Sequence, residues 1–341
     1  MGYKIGSFNL FKFSFQADKE IKKDTSKIAD IIKSEGFDII ALQEVLNPNA
    51  LELLRKKLGN SWRYRWDQPK IGEGFSGSKQ EAEGYAFLWN SETMELSWSN
   101  KVSGFGNAAS IIKNVAEPHI YDQYRIDKKN GQEELARNPY YGRFKPKRGF
   151  CEIRLINTHF HFGDNSKEEI RKRKNEFDIL TQVIYHNISD RRYGNNFPAY
   201  TVILGDYNLN LNRTWNQAPF LEENVYLNDN GKIKHIITVQ DQKTTLRMLK
   251  KTELEPIDAP NENKNAVITD DSSRGWANNY DHFTYDADRF AGTYIQARRI
   301  DTVRKYEKDD FPSHRREISD HIPIIMNLNL NEYESTEEEG D

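Results

Sequence analysis

The sequence predicts an α/β fold in which helices pack outside a pair of sheets. Three observations lead there. Strand-like runs recur from one end of the chain to the other, only three segments carry a clear helical period, and no linker or composition break separates them. The 341 residues suffice for two domains or for one large layered one. The even spread of strand signals favours one domain over 1–330, followed by an acidic tail over 331–341 expected to be disordered.

The elements follow in order. Tyr3–Leu10 (YKIGSFNL) reads as a strand with Asn9 at its end. Asp18–Glu35 spaces Ile21, Thr25, Ile28, Ile31 and Ile32 as a helix does, and Gly36 ends it. Phe37–Leu42 (FDIIAL) is a buried strand running into Gln43-Glu44. Asn47-Pro48 opens a second helix with Leu51, Leu54 and Leu58 on one face, stopped by Gly59. Trp62–Trp66 alternates aromatic and basic residues as a half-exposed strand would. Ile71–Lys79 is a Gly- and Ser-rich loop, and Gly84–Trp89 is a buried strand directly after Glu83. Glu92–Trp98 continues the sheet.

Gly104–Asn138 lacks periodicity and reads as an irregular excursion ending in ARNPY. Gly149–Thr158 alternates as a strand and runs into His159-Phe160-His161. Ser166 and Glu169 form a capping box that starts a long helix with Ile170, Phe177, Leu180 and Ile184 inward. Gly194–Asn196 is a turn. Thr201–Asn210 (TVILGDYNLN) is a doubly buried strand, then Gly205 and the polar Asp206, Asn208 and Asn210. Leu211–Asn279 is long and polar, with weak strand signal near Ile233–Val239 and a helix-like TLRMLKK. Tyr280–Tyr285 and a stretch within Tyr294–Tyr306 read as strands. Ile322–Leu330 closes the fold after Ser319-Asp320-His321.

Net charge is −3, but the last eleven residues hold six acids and no Lys or Arg, so the remaining body carries −3 + 6 = +3. That suits a phosphate-bearing substrate without requiring one. One cysteine, Cys151, rules out an internal disulfide and a thiolate zinc site. No charged start leads into a long apolar run, so no signal peptide is read and a cytoplasmic location is expected. No run nears the ~18 apolar residues of a membrane span, so no membrane partner is expected. A Ser elbow, Walker loop and dinucleotide fingerprint are all missing.

Polar side chains stand at the ends of successive buried strands: Asn9, Glu44, His159, Asp206 with Asn208, Asp281, and Asp320 with His321, with Glu83 at a strand start. Each alone admits a structural reading as a turn, cap or core hydrogen-bonding residue. Together they describe a site where strand ends converge. Carboxylates and amides are hard oxygen donors suited to Mg²⁺, Mn²⁺ or Ca²⁺. Two histidines beside spare carboxylates suit a general acid and a general base. A cation plus paired histidines is the chemistry of phosphoester hydrolysis.

GSFNL, ALQEV, NTHFHFGD, ILGDYNLN and SDHIPI, in that order, resemble the endonuclease/exonuclease/phosphatase superfamily from Ser7 to Pro323. The resemblance implies a four-layer α/β/β/α sandwich of two packed, mostly antiparallel sheets flanked by helices. EGYAFLW, ARNPYYGRF, HFHFGD and NNYDHFTYD resemble the deoxyribonuclease I-like branch, though His282 stands where that branch carries Arg. The resemblance implies Glu44 as the main metal ligand, with Asn9 and Asp320 near the metal or its waters. It pairs His159 with Glu83 and His321 with Asp281, and gives Asp206 the attacking water. It gives Asn208 and Arg137 the phosphate oxygens. Tyr85 reads either as a phosphate contact or as a core aromatic. The function implied is a Mg²⁺- or Mn²⁺-dependent DNA endonuclease, with Ca²⁺ also compatible, acting as a monomer on double-stranded DNA and leaving 5′-phosphate ends. The alternatives are a lipid or small-molecule phosphoesterase of the same superfamily, and an inactive binding module on its fold. The stretches Trp62–Trp66 and Arg143–Arg148 read either as solvated faces or as backbone contacts.

Overall fold

A computed structural model describes residues 2–14, 23–69, 83–97, 118–122, 124, 134–193, 197–210, 224–227, 233–239, 242–247 and 275–330. The loop read at Ile71–Lys79, the turn at Gly194–Asn196 and the acidic tail lie outside the described residues, as does most of Gly104–Asn138 and Leu211–Asn279.

One sheet has six strands: β1 (Gly2–Phe13), β2 (Ile39–Val45), β3 (Trp62–Asp67), β4 (Gly84–Asn90), β13 (Tyr294–Arg299) and β14 (Ile324–Asn329), in the order β13-β14-β1-β2-β4-β3. The other has eight: β5 (Met94–Leu96), β6 (His119–Ile120), β7 (Tyr140–Pro146), β8 (Glu152–His159), β9 (Ala199–Asp206), β10 (Asn224–Leu227), β11 (Ile233–Val239) and β12 (Asp281–Asp286). Their order is β10-β11-β12-β9-β8-β7-β5, with β6 on β7. Among the described residues, only β1–β2 and β8–β9 pair in parallel; the other pairings are antiparallel.

Strand alternation builds the layers. In β2, Ile39 and Ala41 face the other sheet, while Ile40 and Leu42 face α1 (Thr25–Glu35) and α2 (Pro48–Leu58). In β9, Val202 and Leu204 join the inter-sheet core, and Ile203 packs under α3 (Lys167–Asp178), a π-helical turn at Ile179–Ile184 and α4 (Tyr185–Ser189). Doubly apolar runs therefore serve two cores at once, each buried Ile or Leu contributing ~1.5–3 kcal/mol. The result is the predicted α/β/β/α sandwich. Beneath the edge that carries the polar strand ends, Gln43 Nε2 donates to Asn157 Oδ1 at 2.6 Å, and Asn157 Nδ2 donates to Leu42 O at 3.0 Å, tying the sheets together. Among the described residues, no helix is long and apolar enough to cross a membrane.

Several elements differ from expectation. The first helix begins at Thr25, where the Asp24 carboxylate accepts the N–H groups of Ser26 and Lys27; Asp18–Lys22 lie outside the described residues. β7 was hidden by its charges: Arg143 is buried, with its guanidinium on Glu152 of β8, so the Arg143–Arg148 run does not read as one solvated or DNA-facing surface. Thr245 and Leu246 of TLRMLKK form bridges to His321 and Trp276, and residues 248–251 lie outside the described residues. Tyr294–Tyr306 splits into β13 and α5 (Thr302–Glu307), and α6 (Phe311–Glu317) follows.

Candidate active site

The polar residues meet because of the pairing directions. A parallel pair brings two C-terminal ends together, and an antiparallel neighbour starts beside them. In one sheet, β8, β9 and β12 place His159 opposite Asp206 and Asp206 opposite Asp281. In the other, the regular β1–β2 register breaks after Asn9 and Gln43, with Glu44 next in β2, β4 starts just after Glu83, and β14 starts just after Asp320-His321. Glu44 sits in a bulge at φ 55°, which interrupts the β2–β4 register between Leu42 and Val45. Gly205 at φ 145° lets β9 lie against Thr158, whose carbonyl oxygen would be 1.9 Å from a Cβ there.

Asp206 is the centre. Its Oδ2 lies 3.5 Å from His159 Nε2 and 3.5 Å from His321 Nε2, and accepts a 3.0 Å hydrogen bond from Asn9 Nδ2. Each imidazole has its own second carboxylate. Glu83 Oε2 is 3.2 Å from His159 Nδ1, and Asp281 Oδ2 is 2.8 Å from His321 Nδ1. Burial works against protonating both rings, and Arg137 adds to that at His159. The facing carboxylates outweigh it: His159 is raised, and His321 is raised well above the ordinary histidine value.

Asn9 Oδ1 accepts from Phe11 N–H at 2.9 Å, which turns its amide nitrogen to Glu44 Oε1 at 2.9 Å as well as to Asp206. With one lone pair of its oxygen engaged on the backbone, Asn9 orients the two carboxylates. Arg137 is not an open phosphate clamp. Its guanidinium is buried, 2.7 Å from Glu83, and donates to the carbonyls of His159 and Phe160. Tyr85 is a core aromatic stacked beside Tyr140, and its hydroxyl accepts from His159 N–H. Burial moves that hydroxyl's pKa far up, so it stays neutral. Asn208, at φ 46°, donates its backbone N–H to Asp206 Oδ1 and its amide to Phe160 O. His282 faces away from the pocket and lies within hydrogen-bonding distance of the carbonyls of Leu209 and Asn279. His161 pairs with Glu169 at 2.6 Å.

A divalent cation fits the carboxylate end. Burial raises the Glu44 carboxyl above its usual range; the charges of Glu83 and Asp320 push the same way, against His159 and the Asn9 amide. Asp320 Oδ2 lies 3.0 Å from Arg315, while its Oδ1 is buried without a hydrogen bond. Such crowded, under-compensated oxygens are what a hard cation relieves. Among the described residues, no cluster of three or more His, Cys, Asp or Glu forms a ready-made cage. Two carboxylates completed by waters and substrate oxygens is the way Mg²⁺ is commonly held.

Supporting residues escaped sequence reasoning. Glu176 of α3 accepts the N–H groups of Ala136 and His161, both at 2.8 Å, tying the Arg137 segment to the His159 segment. Its only signal was its place beside Phe177 on the buried stripe. Ser319 Oγ donates to Asn9 O at 2.6 Å and accepts from His321 N–H, joining β1 at Asn9 to the segment before β14.

The model of the Endonuclease/Exonuclease/phosphatase family matches residues 6–321. Among curated proteins, none matches this sequence at a significant level. Solved structures share the fold. An endonuclease/exonuclease/phosphatase from Bacteroides vulgatus is similar at 13% identity and TM-score 0.52, covering 97% of this chain and 100% of that one. D. rerio TDP2 complexed with a single-strand DNA product is similar at 13% identity and TM-score 0.51, with 96% and 99% covered. A functionally unknown conserved protein from Enterococcus faecalis V583 is similar at 14% identity and TM-score 0.51, with 96% and 100% covered.

Proposed function

The chain belongs to the endonuclease/exonuclease/phosphatase family of phosphoester hydrolases, and from that premise we propose a divalent-metal-dependent phosphodiesterase acting on DNA. One observation carries the reading: two imidazoles, each with its own carboxylate beside Nδ1, both turn Nε2 to the same Asp206 oxygen at 3.5 Å. Those two nitrogens are therefore no more than 7.0 Å apart, the sum of the two distances. A single phosphoryl group between them comes within proton-transfer reach of both.

The residues then divide the work. Asp206 and one histidine orient the attacking water and take its proton. The other histidine, held as imidazolium by its carboxylate, delivers a proton to the leaving 3′-oxygen, which leaves a 5′-phosphate end. Glu83 and Asp281 keep each ring in the tautomer that presents Nε2. Arg137 fixes Glu83 from below, and Asn208 fixes Asp206. Glu44 and Asp320 would hold Mg²⁺ or Mn²⁺, with Asn9 orienting Glu44. When bound, the cation supplies charge stabilisation for the phosphoryl oxygens. The segments that resemble deoxyribonuclease I, and a fold neighbour crystallised with a DNA product, support DNA as the substrate. Plasmid and a choline phospholipid, each incubated with Mg²⁺ and with EDTA, test the assignment. Metal-dependent nicking of plasmid is expected; hydrolysis of the lipid alone would reassign the substrate.

A further inference from the structure

Among the described residues, three large apolar side chains stand open to solvent: Phe150 at 73%, Phe162 at 70% and Tyr294 at 64%. Two lie away from the site. Phe150 precedes β8, whose far end carries His159, and its ring lies 6.2 Å from that of Phe197. Tyr294 pairs with Asn329, at the opposite end of β14 from His321. Phe162 is at the site edge, three residues after His159, so their Cα atoms are at most about 11 Å apart. It has no ring partner among the described residues.

The segment that displays Phe162 is held at nearly every residue. Phe160 stacks on Tyr207 at 4.7 Å. His161 donates its N–H to Glu176 at 2.8 Å and pairs its ring with Glu169 at 2.6 Å. Buried Arg173 donates to Gly163 O at 3.1 Å and Asp164 O at 2.9 Å. Asp164 accepts from Ser166 N–H at 2.8 Å. Three side chains of α3 thus form a backplate. A ring presented on so fixed a segment loses little further freedom on contact with a ligand.

Resting on the phosphodiesterase reading above, we infer that Phe162 is a stacking platform for an unpaired nucleobase next to the scissile phosphate, so that the preferred substrate is single-stranded or locally unpaired DNA. Magnitude favours a base over a membrane. Stacking of one base on one aromatic ring changes affinity by about 5- to 150-fold. One ring inserted in a bilayer contributes less than a myristoyl chain, itself a marginal anchor with K ~10⁴ M⁻¹. The neighbours Asp164, Asn165, Lys167 and Glu168 are exposed and polar, and add no apolar area.

The test compares wild type, Phe162→Ala and Phe162→Trp on a short single-stranded oligodeoxynucleotide. Versions with one abasic residue, stepped along the positions flanking the cleaved phosphate, complete the set. Phe162→Ala, at an exposed position, is expected to keep its Tm and to raise KM for the intact strand about 5- to 150-fold. Phe162→Trp should restore it. An abasic residue at one flanking position should impose the same loss on wild type and none on Phe162→Ala. If wild type cleaves the strand and the abasic penalty is equal in both proteins, the stacking inference falls while the hydrolytic reading stands. If wild type cleaves no DNA, both fall. If Phe162→Ala instead abolishes hydrolysis of choline phospholipid vesicles, the ring serves a lipid surface and the inference is overturned.

Discussion

Gly205→Ala tests how the β8–β9 contact holds the site. At φ 145°, an alanine carries backbone strain, and its Cβ would sit 1.9 Å from Thr158 O and 2.9 Å from Thr158 C. Relief even to 3.0 Å, the shortest approach a real Cβ shows, requires the strands to part by more than 1 Å. The next register pair is His159 with Asp206. Positive-φ strain costs ~1–2 kcal/mol and overpacking ~1–3 kcal/mol, so a loss of about 2–5 kcal/mol is expected. A displacement of that size at the reacting groups costs ~10²-fold in rate. Gly59→Ala is the control, because Gly59 has φ 116° and no atom within 4 Å of an added Cβ. It isolates strain from collision. Urea unfolding with unchanged m, together with steady-state hydrolysis, reads both effects. The reasoning is refuted if the two variants lose the same stability and both retain full activity.

Other perturbations separate the site from its frame. His314 is buried between Thr302 Oγ1 and Ser319 O, both at 2.7 Å, and burial lowers its pKa to about 3. The unfolded chain takes that proton first as pH falls below about 6.5, so stability drops towards acid pH, by ~2 kcal/mol between pH 7 and 5. In His314→Asn the pH-dependence of Tm over that window should flatten. Glu152→Ala leaves buried Arg143 and Arg154 without their shared carboxylate and should cost ~3–5 kcal/mol, read by denaturant midpoint. Glu44→Gln removes a charge whose carboxyl burial already disfavours. It should hold or raise Tm in EDTA while weakening Mn²⁺ binding, as calorimetry would show; a lower Tm with unchanged Mn²⁺ affinity would contradict the role given to Glu44.

The two-sheet sandwich and the convergence of strand ends were legible because buried strands write themselves as apolar runs and their polar terminators stand out. Asp206, His159, Glu44, Glu83, Asp281 and His321 were found that way, and the structure gathers them at one edge. Pattern could not say what lies across a sheet. Arg143 looked solvated because its partner Glu152 is on another strand, and a charge is buried only where such a partner exists. Arg137 has the chemistry of a ligand contact, yet its guanidinium is engaged by Glu83. Glu176 looked like one more helix acid until its two backbone donors, 40 and 15 residues away, came into view.

The most direct measurement is plasmid nicking in Mg²⁺ by wild type and by His159→Ala/His321→Ala, at matched Tm and circular dichroism. General acid–base help of ~10²–10⁴-fold from each ring predicts that the double variant leaves the plasmid supercoiled. Nicking at the wild-type rate by the folded double variant would contradict the account.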